Sequence, residues 1–246
     1  DDGTLFGWGF NYQGQLGIGT WDFEKDRPTK VLISDVKKFT IGNDHCFAFR
    51  DDGTIWIWGR NNKGQLGDGT TTDSNKPTQS TGLDGVIDIT PGQLHTVALK
   101  DDGTVWAWGA NGEGQLGNGT LEDSLVPIQV EGLANIVSIA TGYSHTIAVE
   151  NNGTVWAWGN NKSGQLGDGT NENRNLPVKI IEPSGTEADK TVLQDKINEV
   201  GDYKEEDYTA DSWGILAEAM ADAQAILEDE KATQEAVDNA LVALNK

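Results

Sequence analysis

Apolar and polar positions along this chain change together on a fixed period. The stretch GTIWIWGRNNKGQLGDGT (residues 53–70) returns as GTLFGWGFNYQGQLGIGT from Gly3, GTVWAWGANGEGQLGNGT from Gly103 and GTVWAWGNNKSGQLGDGT from Gly153, one copy every 50 residues. Such a period makes the chain an array of one supersecondary unit. In each unit an apolar run leads into a glycine-punctuated loop, then a polar stretch ending in proline. A strand-like V-x-x-I segment and a Gly-x-x-His-x-x-Ala segment follow. IWIWG and VWAWG are apolar at successive positions, which predicts strands covered on both faces. Asp52-Gly53, Asp102-Gly103 and Asn152-Gly153 stand between two β-rich runs and predict hairpins on primed turns, with positive φ at both central residues. Each hairpin crosses a repeat boundary. The chain is therefore expected to be a piece of something longer, opening in the middle of a hairpin at Asp1. LPVKII (176–181) leads into no fourth Gly-x-x-His segment.

Beyond that point the period changes. From Glu187 onward Val192, Leu193, Ile197 and Val200 fall on one helical stripe. Trp213, Leu216, Ala217, Met220 and Leu227 form a second, and Val237, Ala240, Leu241 and Leu244 a third. Thr209 and Thr233 stand where N-caps belong. The pattern predicts a partial β-propeller over 1–182 (units 1–50, 51–100, 101–150 and 151–182), a linker at 183–186 and a three-helix bundle over 187–246. Radially stacked four-stranded sheets are the architecture that covers both faces of such strands. The fold class is mainly β plus a small all-α domain, with 14 strands in about three and a half blades.

Charge removes some functions. The chain carries 39 acidic against 18 basic residues, a net −21. Unaided binding to nucleic acid or an anionic membrane needs the opposite sign, and no apolar run approaches membrane-spanning length. Cys46 is the single cysteine, so no internal disulfide forms, as suits a cytosolic protein or an exported one that avoids disulfides.

Candidate chemistry is absorbed by the repeat. His45, His95 and His145 each follow a glycine by three residues, one per blade, which predicts a repeated structural hydrogen bond rather than a metal site. Trp56, Trp58, Trp106, Trp108, Trp156 and Trp158 occur at fixed places, so core packing outweighs a stacking platform for sugars or bases. The glycine loops precede neither Lys-Ser/Thr nor a helix, which argues against phosphate binding. Loops such as GDGTTTDSNKP lack EF-hand spacing. No nucleophile or acid–base pair stands outside the repeat, so no enzyme activity, cofactor or metal is expected.

The pattern DDGTVWAWG…GQLG-x-GT…P…Gly-x-x-His-x-x-Ala resembles the regulator-of-chromosome-condensation repeat family over residues 1–182. The resemblance implies a seven-bladed propeller, of which this chain would form half, completed by upstream blades or by a second chain. Repeat 1 departs most: Phe6 replaces Trp, Gly7 replaces a β-former, and its loop reads WDFEKDRP. The family's best-known member is a nucleotide-exchange factor working through an inserted segment and a basic surface, and neither feature is present here. What the wider family implies is a rigid disc gripping another protein by its loops; one bacterial relative is an enzyme inhibitor. The informative positions are then those that vary between units: Trp21 and Phe23 in the first loop, Asn43 and Tyr143 before the histidine strands. Trp21 reads either as cover for a neighbouring blade or as a contact residue.

YTADSW (208–213) and TQEAVD (233–238) resemble the FIVAR helical module. That module implies an exported protein of Gram-positive bacteria, attached to membrane or wall, and a role in glycan binding or as a spacer. Tyr208 and Trp213, beside the helix stripe, are expected in the core rather than as sugar-stacking rings. Together these readings predict a non-catalytic binding, adhesion and display segment of a secreted or cell-surface protein, recognising protein or glycan. A regulatory propeller, acting as an enzyme inhibitor or exchange factor, is the alternative.

Overall fold

The computed structural model describes residues 3–182, 190–229, 232 and 234–244. It divides into two compact units, Asp1–Glu182 and Pro183–Lys246. The first holds 14 strands among the described residues. β1 (Phe6–Phe10) and β2 (Glu24–Lys30) form a two-stranded sheet. Three four-stranded sheets follow: β3 (Val36–Ile41), β4 (His45–Arg50), β5 (Ile55–Gly59) and β6 (Ser74–Gln79); β7 (Val86–Pro91), β8 (His95–Lys100), β9 (Val105–Gly109) and β10 (Ser124–Gln129); β11 (Ile136–Thr141), β12 (His145–Glu150), β13 (Val155–Gly159) and β14 (Arg174–Ile181). All pairings are antiparallel between chain neighbours, giving three complete blades and half of a fourth in a ring that is not closed. Each complete blade takes two strands from one sequence unit and two from the next. The outer strands β6, β10 and β14 carry Pro77, Pro127 and Pro177, which suit an edge because proline has no N–H to donate.

The hairpins form where Asp-Gly and Asn-Gly place them, but on a different turn. Arg50 N donates to Thr54 O and Gly53 N to Arg50 O, both at 3.0 Å. Among these loop residues only the glycine has positive φ (82° at Gly53, 79° at Gly103, 89° at Gly153). This is the three-residue pattern, a type I turn closed by a glycine bulge, rather than a primed turn. The aspartate is retained for another reason: Asp52 Oδ1 accepts from Thr54 N at 3.0 Å and Thr54 Oγ1 at 2.6 Å, tying the loop to the strand after it.

Successive sheets meet through one repeated seam. Trp58, Trp108 and Trp158 lie buried between sheets, each donating Nε1 to a carbonyl of the preceding loop: Gln15 O at 2.9 Å, Gln65 O at 2.9 Å and Gln115 O at 3.0 Å. Thr96 Oγ1 and Thr146 Oγ1 donate to the same Gln65 and Gln115 carbonyls, at 2.8 and 3.2 Å. Having given that proton away, Thr96 accepts from His45 Nε2 at 3.0 Å, and Thr146 from His95 Nε2 at 3.3 Å. Cys46 holds the threonine position in the first seam, with Sγ donating to Gln15 O at 3.3 Å. His45 and His95 thus act as pins between blades, whereas His145, half-buried, makes no such bond among the described residues. The first tryptophan of each pair departs from the expectation of full burial. Trp56, Trp106 and Trp156 are half-buried beside the hairpin turns, under Arg50, Lys100 and Lys179 at 5.7, 4.5 and 5.6 Å from their rings.

The loop between β5 and β6 is wound on Asn61, which is fully buried. Its Oδ1 accepts from Leu66 N at 2.9 Å, and its Nδ2 reaches Asp68 Oδ1, Thr70 O and Thr70 Oγ1 at 3.0–3.1 Å. Leu66 is thereby driven into the seam, and Gly67 (φ +74°) comes against the next blade's indole. A Cβ at Gly67 would stand 2.7 Å from Trp108 Nε1. Gly67→Ala is expected to lower the unfolding free energy, read from a urea titration, by well over the ~1 kcal/mol typical of a strained glycine alone. Gly82→Ala, with positive φ but open space around it, is expected to lose clearly less in the same urea titration.

The second unit contains α1 (Thr191–Gly201), α2 (Ala210–Glu228) and α3 (Gln234–Leu244). Leu193 and Ile197 of α1 meet Ala223 of α2 and Val237, Ala240 and Leu244 of α3, and Val200 of α1 is buried as well. Thr209 caps α2, its Oγ1 accepting from Ser212 N at 3.2 Å. Val192 and Ala217 lie exposed, each one position off the stripe. The linker at 183–186, Glu187 and Thr233 fall outside the described residues.

Candidate protein-binding surface

The turns β3–β4, β7–β8 and β11–β12 repeat in backbone and differ in side chain. Asn43 N donates to Gly92 O at 3.5 Å and Gln93 N to Tyr143 O at 3.1 Å. Gln93 Nε2 also donates to Tyr143 OH. Asn43 and Tyr143, 100 positions apart in sequence, therefore belong to one ridge, joined by Gln93. The sequence reading passed over Gln93, although it occupies the same variable slot. Tyr143 is 66% exposed. The long loops share this rim, since Arg60 N donates to Asp44 O at 2.8 Å and its guanidinium pairs with Asp44 at 3.3 Å.

Trp21 and Phe23 sit on the β1–β2 loop of the half-blade. Phe23 packs edge-on against Phe10 at 5.2 Å, and Phe10 lies 6.3 Å from Tyr12. Trp21 is 54% exposed, so its ring is not sealed against a neighbouring sheet. The two groups are connected by a groove of about 440 Å³ whose walls include both Phe10 and Asn43.

The charged groups of the rim are largely engaged in holding it. Asp73 accepts from Asn61 N at 2.6 Å, and Lys63 bridges to Asp123 at 2.9 Å. The Lys162 ammonium holds the Glu113 carboxyl below its ordinary range, and the Thr170 hydroxyl does the same for Asp168. Burial pushes His45 and His95 down to about 3 and the Cys46 thiol up to about 12. The pins are thus neutral and the thiol unreactive at neutral pH.

On the helical unit, Tyr203, Tyr208 and Trp213 follow one another at 6.0 and 5.8 Å. None belongs to the bundle's core cluster. This corrects the sequence expectation for Tyr208, which lies exposed on the segment between α1 and α2; Trp213, in the first turn of α2, is half-buried.

The RCC1-like domain model matches residues 1–200. The chain belongs to the RCC1-like domain family. The FIVAR domain model matches residues 189–246. Among solved structures, this RCC1-like chain superimposes on yeast RCC1 (Prp20) bound to Kap60 with a TM-score of 0.66 at 24% identity, over 75% of this chain and 46% of that one. For Prp20p from Saccharomyces cerevisiae the TM-score is 0.65 at 23% identity, over 74% and 47%. Human WBSCR16 gives 0.65 at 28% identity, over 74% and 49%. The RCC1-like chain spans about half the length of these relatives. No curated protein matches it. Its two matched domains point to protein binding. No helix of the described residues is long and apolar enough to cross a membrane.

Proposed function

We propose that this chain is a non-catalytic recognition and display segment of a secreted or cell-surface bacterial protein. It grips a protein, or the glycan of a surface protein, with the rim that carries Asn43, Tyr143, Trp21 and Phe23. The observation that carries this reading is the ridge itself, where a backbone repeated with little change presents three different side chains, the outermost an exposed tyrosine. Exposed Tyr and Trp on rigid supports are favoured interface anchors because they bury large area at small entropic cost. The FIVAR match supports a surface setting, and the Tyr203–Tyr208–Trp213 rings offer the second unit a face for neutral sugars. The regulatory alternative draws on Prp20p, whose own study covers its binding to Gsp1p and histones.

The test is a glycan array and a surface-protein pull-down with the full chain beside Tyr143→Ala and Trp21→Ala. Each variant is expected to lose about tenfold or more in affinity for the captured ligand, the effect of removing an anchor worth over 1 kcal/mol, with a melting temperature within a few degrees of the parent. Unchanged affinity in both variants would remove the rim from the interface. Capture of a GTPase, lost in those variants, would favour the regulatory reading.

A further inference from the structure

The segment between α1 and α2 holds more aromatic surface than its packing uses. Tyr203 and Tyr208 flank the short helical turn Glu205–Asp207, and Trp213 stands in the first turn of α2. The tyrosine rings are stacked at 6.0 Å with their planes 21° apart, and Trp213 follows at a tilt of 44°. At such a separation near-parallel rings are offset, so neither covers the other. Tyr203 and Tyr208 are each 39% exposed. Neither makes the α2 cap, which falls to Thr209. The surrounding charge is one-sided. From 199 to 211 the sequence carries six acidic residues and one lysine. α1 ends without a basic residue in its last turn, although the carbonyls that close a helix favour cations. Glu199 stands there instead, its Oε1 accepting from Tyr203 OH at 3.3 Å. The nearby lysines are already paired, Lys196 with Glu199 at 3.2 Å and Lys204 with Glu206 at 3.9 Å. A shallow hollow of about 450 Å³ opens on Lys204, Glu205 and Glu206. Open ring faces, a surplus of carboxylates and an unneutralised helix end thus lie together.

We propose that the Tyr203–Tyr208–Trp213 face binds a quaternary ammonium head group, its occupant being free choline or a small ligand of that type. A cation over an aromatic face is attracted by the ring quadrupole, and methylated nitrogen is the form that clustered rings recognise. It brings no N–H whose hydrogen bonds to water must be replaced. A primary ammonium or a guanidinium needs acceptors directed at its hydrogens. Glu199 meets Tyr203 at the hydroxyl end rather than over a face, and it already holds Lys196. The rings therefore supply the contact and the carboxylates supply a field, screened by salt. Neutral sugars can use the same apolar faces, but they draw nothing from the surplus of negative charge. That surplus also selects the source of the head group. A phosphate beside the nitrogen, as on a phosphatidylcholine surface, meets repulsion from Glu205 and Glu206. The site is independent of the rim, since all of it lies on the helical unit.

The probes are choline chloride and its uncharged isostere, with a tert-butyl group in place of trimethylammonium, each titrated into the full chain. The readout is the NMR shift of the Trp213 indole N–H and of the backbone amides from 203 to 213. Choline is expected to move these signals saturably and to bind about fivefold or more tighter than the isostere, the share carried by cation–ring attraction. Tyr208→Leu is expected to lose at least as much and Tyr208→Phe to retain the binding, both at an exposed position. Glu205→Gln with Glu206→Gln should weaken choline and leave the isostere unchanged. Tyr143→Ala, on the other unit, should alter neither, so failure of the rim and failure of this site are told apart. Equal affinity for choline and the isostere would overturn the proposal, as would the lack of a saturable shift. So would glucose moving the same signals where choline does not, which would leave the rings a sugar face. Phosphatidylcholine vesicles doing so in place of choline would overturn it as well, and would make a membrane surface the occupant.

Discussion

Replacing Trp108 by alanine is expected to destabilise the β unit by about 3–5 kcal/mol, the usual range for deleting a fully buried large aromatic. Three losses coincide at this residue. The indole is buried among Phe47, Ile57, Leu66, Ile89 and Ala98, so its removal leaves a cavity that two rigid sheets cannot close. Its bond to Gln65 O disappears, though that carbonyl keeps Thr96 as a partner. Finally, the seam is the buried apolar coupling between neighbouring sheets, and in a linear array stability resides largely in such interfaces. Urea denaturation followed by tryptophan fluorescence checks this. Trp106→Ala, two residues earlier and half-buried under Lys100, is expected to lose less than half as much. Equal losses would show that burial at the seam is not what distinguishes the pair.

Acidification is expected to weaken the same seams before the carboxylates titrate. Burial depresses His45 and His95 from 6.5 to about 3 in the folded chain. In the unfolded chain both take up protons as pH falls through 6.5, so below that value the unfolded state binds more protons and gains on the folded one. Stability is fully present above 6.5 and declines toward 3 by about 1 kcal/mol per pH unit for each histidine. The hydrogen-bonding pattern supplies the cause. Thr96 and Thr146 fix Nε2 as the protonated nitrogen, and the Nδ1 of each ring is buried without a partner among the described residues. A second proton would have to be placed there. Melting temperatures between pH 7.5 and 5 should fall for the parent and much less for a His45→Gln, His95→Gln double variant. A flat profile in the parent would show that protons reach Nδ1 without opening the seam.

Much of this architecture is legible in one sequence because the period multiplies every signal by four. The strands, the glycine turns, the paired tryptophans and the histidine in each blade all follow from recurrence. What escaped were features decided across sheets. Asn11, Asn61, Asn111 and Asn161 recur as faithfully as the tryptophans and are fully buried, yet asparagine after a strand reads as an ordinary turn residue until its amide is seen closing a loop. The turn type escaped because Asp-Gly satisfies both a primed turn and a bulged one. Tyr208 was misplaced because helical spacing does not say where the segment before the helix leads. At the rim, Asn43 and Tyr143 were visible as variations on a constant phrase. Their adjacency depends on how blades sit side by side, which no local pattern reports.

The half-blade offset between sequence unit and sheet bears on how such an array changes in size. Excising residues 51–100 would bring β4 directly before β9, leaving β3, β4, β9 and β10 to make an ordinary sheet with the register that β4 and β5 already use. Gain or loss of a whole period thus creates no orphaned strand at the splice. A genome can lengthen or shorten this surface by unequal exchange while every internal junction stays chemically familiar.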